Sequence, residues 1–552
     1  MQSTKFIILA LFACIARPLV AQNITAFEDF NVVPMESDKI LAHTTVLVDG
    51  RKIIAVGPAR SVSIPKNCEV VKGHGKRYLI PGLADMHTHI DEQEDLLLLV
   101  ASGVTTMLNM GHANGQFITT TRQSVNEGKT LGPYTFAGFW IDGVPESNGF
   151  YVTKPEDAKA AVESAHKLGY EFIKAYSLVS PECFRAICAT AKGLGMPVVG
   201  HGQRNLDFRE AAETGLCMLA HAEEYFYTYF AKGKGPEAIP DAVQITKETG
   251  LTVTANLSAY HVMAAQWGKP DVLKKLMEDP DVKNLRPENR DQWEGSELAR
   301  NKGSLDKRVP FLDTLVKSLQ DAGVPLLAGT DTPGIPGLPP GKSLRTELEL
   351  LVKAGLTPYE ALSCATRNAG GFISGVLPNQ EKFGHVAVGE RADLVILDGN
   401  PLKDIANVNS MEGVVVAGKY LPKSKLDSMV REQSRRFEAE VALQKEFEAS
   451  LKANGLAKTA VDFSQPRGKI ALREHYLNNL GYACLGAKKI KQAVTLFQLN
   501  VKLHPESANV YDSLGEALLA SGDKEAGRKA YAKAAELDPT NSNAAKIAAE
   551  KD

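Results

Sequence analysis

The stretch Pro81-Gly82-Leu83-Ala84-Asp85-Met86-His87-Thr88-His89 decides how the rest of the chain is read. A short apolar run, Tyr78-Leu79-Ile80, leads into it, and Leu83 and Met86 continue the β-like character. Residues two apart on a strand project from the same face, so His87 and His89 can aim at one object. Two neutral imidazoles aimed at a common point are a natural first half of a metal site. An isolated His-x-His is as often a pair of surface or hydrogen-bonded histidines. What separates the two readings is whether later strands end in further metal-ligand residues.

After Pro81 the pattern alternates strands and helices, which predicts a parallel sheet with crossover helices. Strands are expected at 83–87, 104–109, 134–140, 172–176, 198–201, 217–221, 252–256 and 325–331. About eight strands over about 250 residues make a (β/α)8 TIM-like barrel. One helix is expected over 155–168, with Thr153 and Glu156 spaced as a capping box. A second opens at Thr357-Pro358-Tyr359-Glu360, with proline at the first helical position. The stretch 258–304 exceeds a normal connection and is a candidate lid or substrate loop.

In such a barrel, side chains at the C-terminal strand ends converge on one mouth. Strand one ends in His87 and His89, strand four carries Lys174, strand five ends at His201, strand six at His221 and strand eight at Asp331. Singly, each has a plain explanation, because buried polar groups are usually just paired. Lys174, inside the apolar run Phe172-Ile173-Lys174-Ala175-Tyr176, is costly to bury without a partner. Four histidines, a lysine and an aspartate at the strand ends of one barrel point to a metal site. Tyr225, Tyr227, Tyr260 and His261 follow strands six and seven, and His112 follows strand two. These are candidate substrate contacts, with aromatic loop packing as the alternative.

The flanks read differently. Residues 22–80 carry short β runs, with Asp49-Gly50 as a hairpin turn between two of them. The barrel spans 81–382, and residues 383–421 return to β. The two β pieces are expected to pair into one split β-sandwich. Residues 422–460 form a charged helical linker whose Phe437, Val441, Leu443 and Phe447 fall at helical spacing. Residues 461–552 contain an internal repeat: Gly481 and Gly515 are 34 residues apart, as are Pro505 and Pro539. Ala483 with Ala517, and Phe497 with Tyr531, keep the same period. That period belongs to tetratricopeptide repeats, an all-α domain suited to a protein partner, self-association or packing on the enzyme body.

At the N-terminus, Lys5 precedes the apolar run Phe6–Ala16, too short to span a bilayer, and Ala21 is a plausible cleavage point. Residues 1–21 read as a secretory signal peptide, which implies a periplasmic or secreted protein. Leu11-Phe12-Ala13-Cys14 resembles a lipoprotein box, into which Phe12 fits poorly. The 552 residues are 44% hydrophobic and 23% charged, as in a soluble globular protein of several domains. A formal net charge of −2 gives no electrostatic case for nucleic acid. No later stretch reads as a membrane span. Seven cysteines lack zinc-like Cys-x-x-Cys spacing, and buried free thiols are the reading for those that stay after cleavage.

These motifs resemble the amidohydrolase superfamily, in the branch related to imidazolonepropionases and prolidase-like enzymes. The resemblance covers about 24–421 and rests on 81–89, 169–174, 198–201, 219–221, Gly329-Thr330-Asp331, 347–357 and 392–397. It implies that His87, His89 and Asp331 bind one divalent ion and that His201 and His221 bind a second. Lys174, carboxylated on its amine, would bridge the two. Zinc is the first expectation, with manganese and others open. Asp331 would also move the proton from the attacking water to the leaving amine. Deaminases and imidazolonepropionases of this fold with one metal lack a lysine ligand at this point, so Lys174 favours the two-metal hydrolase. Relatives often carry an Arg-Asp pair after the second strand's Gly-Val-Thr-Thr. Here Gly103–Thr106 is followed by Met107-Leu108-Asn109-Met110-Gly111-His112, so no carboxylate contact carries over from that arginine.

The expected activity is hydrolysis of an amide bond in a small molecule, with a dipeptide as the first guess. A cyclic amide such as an imidazolone or hydantoin is the alternative. The reading outside enzymology is a tetratricopeptide binding protein with an inactive barrel, which the intact ligand set argues against. If the repeats only bind or dock, removing residues after about Ala460 should spare the chemistry.

Overall fold

The computed structural model describes residues 24–111, 113–145, 150–231 and 233–549. The expected leader, 1–21, and the substrate candidate His112 lie outside the described residues. Among the described residues no helix is long and apolar enough to cross a membrane.

The centre of the molecule is a nearly closed parallel barrel. Its strands are β1 (Leu83–Thr88), β2 (Val104–Asn109), β3 (Tyr134–Asp142), β4 (Phe172–Ala175), β5 (Val198–Gly200), β6 (Leu216–Leu219), β7 (Thr252–Thr254) and β8 (Leu326–Leu327). Each pairs with the next in parallel. Between β8 and β1 the gap is spanned by main-chain bonds: Met86 N–H to the Ala328 carbonyl (2.9 Å) and Asp331 N–H to the His87 carbonyl (2.8 Å). Inward residues Ala84, Met86, Leu108, Phe136, Phe172, Val199, Met218 and Leu327 fill the interior, so the barrel is a packed core and not a pore. Truncating Phe172, fully buried there, would cost roughly 3–5 kcal/mol.

Strands from both sides of the barrel share one eight-stranded sheet. Tyr78–Pro81, the last strand before the barrel, runs antiparallel to Leu394–Leu397, the first after it, pairing Pro81 with Leu394. Phe27, Phe30, Val46, Leu394, Ile396 and Val415 form the core of this module. The hairpin that joins Leu41–Asp49 to Lys52–Pro58 turns at Asp49-Gly50, where Gly50 adopts φ 52°.

Two proline-led helices show why one capping box forms and the other does not. Proline, with fixed φ and no N–H, sits best at the first helical position and so dictates which residue becomes the cap. At Pro358–Cys364 that residue is Thr357, and its capping box with Glu360 is complete. At Pro155–Lys167 it is Lys154, with no side-chain cap, so the box expected from Thr153 is absent. The stretch 258–304 is not an irregular loop but largely helical. It folds as Leu257–Gln266, Pro270–Met277 and Pro287–Glu294 with two 3-10 turns, and Trp293 is buried beneath it.

Beyond the sheet, the helix Lys423–Asp462 runs along the barrel, broken at Gly455 (φ 74°). Arg436 pairs with Glu94 (2.7 Å), and Phe437, Leu443 and Phe447 are buried. A helical region follows: Glu474–Gly486, Ile490–Leu503, Ala508–Ser521, Lys524–Leu537 and Ser542–Ala549. A Cβ at Gly481 would press on the Phe497 ring, and one at Gly515 on the Tyr531 ring, so both glycines admit an aromatic of the next helix.

Candidate metal centre

Every ligand-type side chain stands at or just past the C-terminal end of a barrel strand. His87 lies within β1, fully buried, and His89 follows it. Their Nε2 atoms lie 3.4 and 3.0 Å from one oxygen of Asp331, Oδ1. The ligand atoms of these three residues all fall within 4.8 Å of one another. The imidazoles continue across the barrel: His87 to His221 is 4.1 Å between ring centroids, and His221 to His201 is 5.1 Å. Lys174, on β4, is wholly buried with its Nζ 5.9 Å from the centre of the Tyr176 ring. Tyr176 stacks between Trp140 (4.4 Å) and His201 (4.2 Å).

Local backbone geometry holds this arrangement. His221 and Asp331, two and four residues past the ends of β6 and β8, have φ of 74° and 64°. Such a conformation costs a residue with a Cβ about 1–3 kcal/mol and persists only where the surroundings enforce it. At Asp331 the enforcement comes from Asp85. Its buried carboxylate accepts from Thr330 Oγ1 (2.7 Å), the Thr330 N–H (3.1 Å) and the His87 N–H (3.3 Å), tying β1 to the segment after β8. His89 donates Nδ1–H to the Gly111 carbonyl (3.1 Å), which puts Nε2 on the side of Asp331, 3.0 Å from its Oδ1.

Electrostatics follow from burial. Burial lowers the Lys174 amine to about 7, against the opposing pull of Asp331, Glu224 and Glu223. It lowers His87 to about 3, helped by the Lys174 charge. His201 and His221 are lowered for the same first reason. Burial would raise Asp331, but its close contacts with His87 and His89 outweigh it and keep the carboxylate well below its ordinary range. Burial therefore favours neutral His87, His201 and His221 beside an ionised Asp331, the forms a cation needs.

Does the donor set fit metal ions? Among the described residues, both ring nitrogens of His87, Nδ1 of His221 and Nζ of Lys174 are buried without a hydrogen-bond partner. Buried polar atoms rarely stay unpaired. Their convergence beside Asp331 fits cation binding, and imidazole with carboxylate suits zinc or manganese.

The amidohydrolase family profile matches residues 78–421, more than half of the chain. The chain belongs to the amidohydrolase family. Solved structures similar to it include an Xaa-Pro dipeptidase with methionine bound in its active site, at 20% identity and TM-score 0.55, covering 72% of this chain and 100% of that one. A bottromycin amidohydrolase covers 76% of this chain and 91% of its own at 22% identity and TM-score 0.58. An ochratoxinase from A. niger covers 72% and 96% at 18% identity and TM-score 0.52. At these identities the likeness is one of fold. No curated protein matches the chain.

Within this amidohydrolase the sequence-based substrate candidates part company. Tyr225 is fully buried, its hydroxyl bonded to Thr246 (2.6 Å) and its ring against Phe208 (4.8 Å), so it is a core residue and not a mouth contact. His261 pairs with Asp313 (2.8 Å) on the helix Arg308–Asp321. Tyr260 is buried with its hydroxyl within the field of Arg308, Tyr227 and Glu223. Tyr227 lies between two guanidinium groups, Arg204 at 4.9 Å and Arg308 at 5.9 Å from its ring centre.

Sequence reasoning also missed two carboxylates. Glu224 Oε1 is 2.8 Å from His201 Nδ1, and Glu223 Oε1 is 3.8 Å from His221 Nδ1. Burial, then the charge of Glu224, holds Glu223 well above the usual carboxylate range. The available signal was the acidic pair two residues after His221.

Proposed function

We propose that this amidohydrolase is a metal-dependent enzyme that cleaves an amide C–N bond in a small molecule, a dipeptide being the best match. The observation that carries the reading is the convergence of His87, His89 and Asp331 beside the buried, unpartnered Lys174 Nζ. His87, His89 and Asp331 would hold one divalent ion and His201 and His221 another, with zinc the first candidate. When bound, such ions lower the pKa of water and polarise a carbonyl. The neutral Lys174 amine can add to CO2 and release a proton, and the resulting carbamate would offer an anionic oxygen donor to the ions. Asp331, ionised, accepts the proton of the attacking water and returns it to the nitrogen leaving group. Arg204 and Arg308 around Tyr227 supply positive charge for a substrate carboxylate, which a dipeptide carries.

Two further parts belong to the reading. The helix pairs after residue 461 are tetratricopeptide repeats, supported by the 34-residue spacing of Gly481 and Gly515 and by the aromatic that each glycine admits. Export rests on Lys5 and the apolar run that follows it. The deciding experiment is hydrolysis by zinc-loaded protein of a dipeptide panel set against cyclic amides. Cleavage of dipeptides with about two ions per chain supports the proposal, and turnover of the rings alone replaces the substrate class.

A further inference from the structure

We infer that the C-terminal helical region, which lies outside the matched family segment, braces two metal-ligand side chains of the barrel through two separate clasps. The inference rests on the metal-site reading above.

The first clasp reaches His89. Gln116 donates Nε2–H to the Glu506 carbonyl (2.6 Å) and accepts the Ala508 N–H at Oε1 (3.3 Å). Beside it, Gly115 lies so close to the helical region that a Cβ would collide with Thr540 Oγ1 and the Asp538 carboxylate. Inward along the same short segment, Asn114 is held by Asp91, its N–H to Oδ2 at 3.0 Å and its Nδ2 to Oδ2 at 3.2 Å. Four residues before Gly115, the Gly111 carbonyl takes the His89 Nδ1–H. Gly111 therefore orients a ligand, while Gln116, five residues on in the sequence, is gripped by a turn almost four hundred residues later.

The second clasp reaches Asp331. Arg473, only 9% exposed in its side chain, pairs with Glu288 at 2.7 Å. Glu288 lies on the helix Pro287–Glu294, and Trp293 of that helix donates its indole N–H to the Pro333 carbonyl (2.7 Å). Pro333 is two residues past Asp331. Ordinary docking of an extra domain needs neither contact to fall on a segment that supports a ligand; here both do. Groups that orient a metal ligand are commonly worth about 10–100-fold in metal affinity. The helical region is thus a working part of the site, and removing it would not spare the chemistry.

The test uses the full chain. Gln116→Ala, Arg473→Ala and the pair are stripped of metal, and zinc affinity is measured by chelator competition alongside hydrogen exchange of residues 113–121 and 287–294. The expected result is about 10-fold weaker zinc binding for each single change and more for the pair, with faster exchange in the segment whose clasp was cut. Gly115→Ala drives a wedge into the first clasp, and adding Thr540→Gly should recover part of the lost affinity, a coupling that general destabilisation would not produce. Zinc affinity within twofold of the parent in the double variant overturns the brace. If the parent itself binds no zinc, the metal-site reading fails instead, and unchanged exchange at 113–121 in Gln116→Ala then overturns the clasp on its own.

Discussion

His89 gives its Nδ1–H to the Gly111 carbonyl across 3.1 Å, and this bond fixes which imidazole nitrogen faces Asp331. Gly111 has φ 112°, and a Cβ there would come within 3.0 Å of the Trp140 side chain. Gly111→Ala should therefore displace the carbonyl and weaken metal binding by roughly 10–100-fold, as loss of an orienting partner does. Chelator competition checks this; unchanged affinity would mean that His89 is oriented by something else.

Lys174 supplies a pH-dependent expectation. With its amine at about 7, the neutral fraction rises from about 10% at pH 6 to about 90% at pH 8. Carbamate formation uses the neutral amine, so reconstitution with zinc at fixed dissolved CO2 should be more complete at pH 8. Lys174→Ala should bind fewer ions per chain and lose hydrolysis. Two ions retained in that variant would remove lysine from the ligand set.

Asp331 is asked both to hold an ion and to move a proton. Asp331→Asn keeps the size and loses the base, and should lower kcat by at least about 10²–10⁴-fold. The fold should survive, read as an unchanged circular dichroism spectrum. A tenfold loss or less would assign the proton to another group, with Glu223 and Glu224 next in line.

Glu347 is fully buried and accepts the N–H groups of Leu257 (3.0 Å) and Ser258 (2.6 Å), anchoring the helix after β7. Burial pushes its carboxyl up to about 7. Between the unfolded value of about 4.3 and about 7 the folded chain holds a proton that the unfolded chain has released, so this group makes stability fall as pH rises through that window. Glu347→Gln leaves one N–H facing an amide and should cost about 1–3 kcal/mol. The deficit should narrow from pH 5 to pH 8, because the variant lacks the titration. Denaturant unfolding at the two pH values measures it, and an equal deficit at both would place the titration elsewhere.

The barrel and the candidate ligand residues at its strand ends were legible because both depend on local, periodic information. His87 and His89 obey the period of a strand, and Lys174 stands out because a lysine rarely sits unpaired in an apolar run. His221 and Asp331 were legible as residue types, but their left-handed backbone, which aims them, depends on neighbours such as Asp85 and Thr330 that are distant in sequence. Tyr225 misled because the short helix Glu224–Tyr227 begins three residues past the left-handed His221, and sequence spacing does not encode the direction it takes there. Thr153 misled because its spacing to Glu156 suited a cap while Pro155 had already set the helix start. Arg473 with Glu288 and Gln116 with Glu506 join surfaces of separate layers, and nothing local in either partner announces such a contact.

The column of Trp140, Tyr176 and His201 has an optical consequence. On the proposed two-ion reading, an ion at His201 would draw electron density from the last ring of the stack, and the indole at the other end, one of three tryptophans in the chain, lies two ring spacings away. Emission from the unlabelled protein therefore becomes a gauge of site occupancy. Filling of the centre can be followed by light, with neither substrate nor dye, while zinc is titrated into the stripped enzyme.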